Sequence, residues 1–215
     1  MGFISSLFGG KKEDNPLEEA FKHIRRILED EQYQIEMVHP ALKAMINSSP
    51  SYDRDPNGTG LFGFSETNPI PVNGPVGELA YLSKLETTKG ERTLFHRIGA
   101  IDRVDVFEAV TFSGSEWFIL FLDYYHPKRS RHFPEGFREN KELCQFSGFH
   151  KFCKGFPYDF VEMKQSESNS SLSLAYIPIS KVLDPIQNRA FQRPLAHKAK
   201  LDLVNSRLTS VTAQE

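Results

Sequence analysis

The chain has 215 residues, 39% of them hydrophobic and 25% charged, which suits one well-buried core with short appendages. A formal net charge of -2 excludes binding nucleic acid over the whole surface, and no apolar run is long enough to cross a bilayer. Two cysteines, Cys144 and Cys153, with no secretory segment before them, fit a reducing cytoplasm rather than a disulfide framework.

Residues 1–12 stand apart. Phe3, Ile4, Leu7 and Phe8 fall on one face of a short helix, Gly9-Gly10 stops it, and Lys11-Lys12 follow. The same stretch satisfies the M-G-x-x-x-[ST] pattern through Gly2 and Ser6. It is read as a detachable segment that docks on another protein, with a membrane surface as the alternative. Asn15-Pro16-Leu17-Glu18 then carries the signals of a helix start. Leu17, Ala20, Phe21, Ile24, Ile27 and Leu28 follow at helical spacing, so an amphipathic helix is expected from Pro16 to about residue 30, with Phe21, Ile24 and Leu28 against a sheet.

Residues 33–38 fit helix or strand equally, and His39-Pro40 opens a short helical run over 41–46. Proline and glycine dominate 48–77, which reads as one long loop, rigid and close to the surface in its second half. Residues 78–85 suggest a short helix packed by Leu79, Leu82 and Leu85.

The clearest pattern comes next. Thr93–Ile101 reads as a strand; 104–112 alternates cleanly apart from Glu108 on its apolar face. Ser113-Gly114-Ser115 is a turn, and 117–125 is apolar on both faces, as a central strand should be. Residues 140–154 suggest a helix weakened by Gly148, and 158–164 with 172–177 a second hairpin. Beyond Asp184-Pro185 the chain turns basic, and Leu201, Val204 and Leu208 give a last amphipathic segment. The expected fold is α+β: a single domain over 13–190, with a mainly antiparallel sheet of about five strands, the N-terminal helix and shorter helices packed on it, and 191–215 as a tail.

Several groups could carry chemistry. Asp53-Arg54-Asp55-Pro56-Asn57-Gly58 resembles the first half of a calcium loop, but the position for the bidentate acid is Phe64, so a turn is the better reading. His96, Asp123 and His126 are the catalytic candidates: if the outer strands of the meander bring them together, a carboxylate-oriented imidazole could serve a hydrolase, with Arg129 or Arg131 facing an anion. No nucleophile motif accompanies them. Cys144, His150 and Cys153, with His132 as a fourth ligand, do not have the spacing of a common zinc site. Lys128-Arg129-Ser130-Arg131-His132 between aromatic residues has the make-up of a single-strand nucleic-acid contact, but it is one short loop in a slightly acidic chain.

The expectation is therefore a non-catalytic protein-binding or assembly subunit. It would be cytoplasmic, or peripheral to a membrane through residues 1–12, with other protein subunits as partners and no cofactor. Phe3, Ile4, Leu7, Phe8, Leu201, Val204 and Leu208 form its binding faces. The alternatives are a small hydrolase using His96, Asp123 and His126, and a nucleic-acid-binding or regulatory protein using the 128–132 loop.

Overall fold

A computed structural model describes residues 16–142, 145–158 and 191–209. The chain opens with three helices, α1 (Pro16–Glu29), α2 (Glu31–Glu36) and α3 (Pro40–Ser48). Asp30 separates the first two and accepts a hydrogen bond from the Tyr33 N–H, capping α2; this local bond settles residues 33–36 as helix. Ile24, Ile27 and Leu28 of α1 are buried, but Phe21 is 59% exposed, and α1 packs on α2 and on α4 (Gly74–Ser83) rather than on the sheet. The expectation for Phe21 is corrected: the buried stripe starts one turn later, where α4 begins to cover it.

The segment read as one loop is a loop only in its first part. Ile70–Pro71 forms β1, Val72 and Asn73 are fully buried, and α4 starts at Gly74 inside the Pro/Gly string. Nearly every residue of α4 is buried, so it is a core helix without a polar face. Leu85 belongs to β2 (Leu85–Thr87), which pairs antiparallel with β6 (Phe137–Glu139) in a small second sheet.

The main sheet has five strands in the order β1-β5-β4-β3-β7, built on the meander β3 (Thr93–Ile101), β4 (Val104–Thr111) and β5 (Trp117–Asp123). These three are antiparallel as expected. The two flanking strands, β1 and β7 (Gly148–Phe149), run parallel to their neighbours, so the sheet is mixed. The stretch expected to be helical around Gly148 is instead this short strand, with Leu143 and Cys144 outside the described residues. A Cβ on Gly148 would stand 2.1 Å from the Phe95 ring, so glycine is what lets this backbone lie against β3. The expected second hairpin falls almost wholly outside the described residues.

The sheet is covered on both faces. Leu94, Phe95, Phe107, Ala109, Leu120 and Leu122 join α1 and α4 in the larger core. Ile98, Val106, Ile119 and Phe121 meet Val204 of α5 (Leu195–Asn205) in a smaller one, with Leu201 and Leu208 around it. The sequence reading set 191–215 apart as a tail; its described part, 191–209, is packed on the sheet, and the Thr209 N–H donates to the Ala100 carbonyl.

β4, not β5, is the strand paired along its length on both sides; β5 meets β1 only at Leu122 and Asp123. The slowest amide exchange is therefore expected over 106–110, close to the global opening limit. Exchange at 106–110 as fast as in the 113–115 turn would contradict the pairing.

Candidate functional site

Four elements bring a charged cluster together on the α4 face of the sheet. Glu78 comes from the second turn of α4, Arg97 and Asp105 from neighbouring positions of β3 and β4, and His150 from the residue after β7. Arg97 grips Asp105 with two bonds, Nε to Oδ2 at 2.6 Å and Nη2 to Oδ1 at 2.8 Å. His150 Nε2 lies 3.1 Å from Asp105 Oδ2 and 2.7 Å from Glu78 Oε2. One N–H cannot serve both. It is directed at Asp105, and neither oxygen of the fully buried Glu78 has a hydrogen bond.

The electrostatics follow from that geometry. Burial, then the neighbouring Asp105, raises the Glu78 pKa against the pull of His150. Burial alone would lower His150, but the two carboxylates outweigh it and raise its pKa. Burial would raise Asp105, whereas hydrogen bonds from His150 and Arg97 hold it below its ordinary value. The Tyr124 hydroxyl is pushed upward by burial and by its contact with Tyr125; its ring stands edge-on to His150, with centroids 6.4 Å apart.

A second cluster occupies the opposite face. Glu108 accepts from Arg193 Nε at 2.6 Å and Nη2 at 2.9 Å, from His197 Nε2 at 3.0 Å and from His96 Nε2 at 3.0 Å. Its four acceptor positions are filled. Burial would raise its pKa, but the hydrogen bonds from His197, His96 and Arg193 win and hold it far below the usual carboxylate range. His96 Nδ1 accepts from the Cys153 N–H, which fixes Nε2 as the protonated nitrogen. This network fastens α5 to the sheet and leaves His96 no lone pair for base catalysis.

The catalytic candidates therefore do not converge. Asp123 Oδ2 lies 3.2 Å from His126 Nε2, while His126 Nδ1 donates to the Pro50 carbonyl at 2.8 Å. His96 is level with Glu108 and Ile119, and Asp123 lies four residues further along β5. That places His96 about 13 Å along the sheet and about 10 Å across it from Asp123.

The other candidates are tied down. Arg131 forms a bidentate pair with Asp53, and Arg129 binds the Leu28 carbonyl and faces Glu31, so both arginines of the basic loop have acidic partners. Asp55 accepts from the Asn57 N–H as an ordinary Asx turn. Cys153 is a buried free thiol, and His150 turns to carboxylates rather than to it. Phe3, Ile4, Leu7 and Phe8 lie outside the described residues, whereas Val204 is buried with Leu201 and Leu208 packed beside it. Among the described residues no helix is long and apolar enough to cross a membrane.

No family model matches the chain, and neither curated proteins nor solved structures give a match. Glu78, Asp105 and Arg97 escape sequence reasoning because no local spacing relates them, and only the β3–β4 pairing and the contact with α4 unite them. Glu108, the charge that breaks the apolar face of β4, is the signal that could be found.

Proposed function

We propose that the protein is a non-catalytic assembly subunit and that it joins a second copy of itself through the outer face of α5. The observation that carries this reading is the stripe Leu195, Ala199 and Leu203. Leu195 is 84% exposed and Leu203 64%, on a helix whose inner face, His197 and Val204, is already committed to the sheet.

The stripe is self-complementary. Ala199 lies midway between the two leucines, so two antiparallel copies meeting at Ala199 place Leu195 of each against Leu203 of the other. An eleven-residue helix falls short of the roughly 800 Å² per partner that a stable interface buries. Phe152, which packs on His96, and Tyr158, which packs on Phe191, are further exposed rings on the same side of the sheet.

Sedimentation velocity over a wide concentration range tests the reading. The wild-type mass should rise from 24.6 kDa toward twice that value, while Leu195→Glu/Leu203→Glu stays monomeric with an unchanged melting temperature. A wild-type protein that stays monomeric throughout, or a double glutamate variant that associates as before, would sink the proposal.

A further inference from the structure

The four acceptor positions of Glu108 are filled by hydrogen bonds, whereas Glu78 has only the close approach of His150 Nε2 at 2.7 Å and no hydrogen bond to either oxygen. A fully buried carboxylate with no hydrogen bond to either oxygen is costly, and natural proteins rarely keep one without a use. Its oxygens face Asp105 and His150, and one ligand atom from each of the three residues lies within 4.8 Å of the others. We propose that Glu78, Asp105 and His150 form a site for a single divalent first-row metal ion, such as Zn²⁺ or Mn²⁺, held by Glu78 Oε2, Asp105 Oδ2 and His150 Nε2.

The dimensions favour this. Metal–ligand bonds of about 2.1 Å at tetrahedral or octahedral angles set neighbouring ligand atoms about 3.0–3.4 Å apart. The contacts at His150 Nε2 are 2.7 and 3.1 Å and all three ligand atoms lie within 4.8 Å of one another, so side-chain adjustment alone brings the set to that spacing. The ion takes the place of the imidazole proton, which is shared poorly between two carboxylates. It also gives the Glu78 carboxylate a direct bond in place of a close but unaligned approach to His150. Two carboxylate oxygens and an imidazole suit Zn²⁺, Mn²⁺ or Fe²⁺ and not a soft ion such as Cu⁺.

The surroundings fit a resident ion. Arg97 holds both oxygens of Asp105 and fixes its orientation, as outer partners of metal ligands do. The His150 side chain is 28% exposed, which gives a path for the ion and room for a water as a further ligand.

The test uses full-length protein freed of metal with a chelator. Titration with Zn²⁺ by calorimetry should give one saturable site per chain, and Co²⁺ should produce visible absorption that Zn²⁺ abolishes. Glu78→Gln keeps the side-chain volume and removes the buried charge, so its fold should persist, as checked by circular dichroism. Its affinity should fall by more than the about 10–100-fold that follows loss of an outer partner. His150→Gln, read in the same titration, should lose the Co²⁺ spectrum. A wild-type protein with no saturable site, or both variants binding the ions as wild type does, would overturn the assignment.

Discussion

Glu108→Gln should lower stability by about 3–5 kcal/mol, the usual cost of removing one member of a buried ion network. Glutamine fills nearly the same volume, but its amide presents two donors where Glu108 accepts from Arg193, His96 and His197. At least one of these groups is left buried and unpaired. At roughly 2–4 °C per kcal/mol for a chain of this size, the melting temperature should fall by about 6–20 °C. Loss should begin at α5, because Arg193 and His197 connect it to β4, and hydrogen exchange over Leu195–Asn205 should report it first. The pH dependence has a definite sign. The folded protein holds Glu108 below its unfolded value, so its contribution is full above the ordinary carboxylate range and is lost as pH falls through that range toward the folded value. The gap between wild type and Glu108→Gln should therefore narrow in acid. A constant gap from pH 7 down to strong acid, or a variant as stable as wild type, would mean that Glu108 does not hold the second face together.

The elements written in short-range periodicity were legible from the residues alone. α1 spans the expected stretch because Ile24, Ile27 and Leu28 recur at helical spacing, and the β3–β4–β5 meander follows from alternation and a turn string. β1 and β7 were not legible: each has two residues, too few to show a period, and each exists only because a distant strand offers a parallel edge. Gly74 and Pro75 read as loop but begin α4, since proline suits a helix's first turn and burial against α2 supplies the rest. The site residues divide in the same way. Glu108 was visible as a charge on an apolar strand face, yet its partners Arg193 and His197 lie 85 and 89 residues away. His150 was noticed beside the cysteines, but nothing local indicates Glu78 or Asp105 as its partners.

Gly148→Ala should be the most damaging single-methyl change in the described chain, because it acts on the core and on the Glu78 cluster together. The added Cβ would stand 2.1 Å from Phe95 Cδ2 and 2.3 Å from Cε2, far inside contact distance. Phe95 is fully buried and packs edge-on against Phe107, so its ring has no free space to enter. Either the ring is expelled, at a cost near the about 3–5 kcal/mol of losing a core phenylalanine, or β7 lifts off β3. The second route breaks the pairing of Phe95 with Gly148 and of His96 with Phe149. It also carries away His150, one residue beyond the strand, and separates it from Glu78 and Asp105. Removing the ring distinguishes the two: Phe95→Ala, which takes away Cγ, Cδ2 and Cε2, should cost less in the Gly148→Ala background than in wild type, giving a favourable coupling in a double-mutant cycle. If Gly148→Ala melts within a degree of wild type, β7 does not lie against Phe95, and the placement of His150 beside the two carboxylates falls with it.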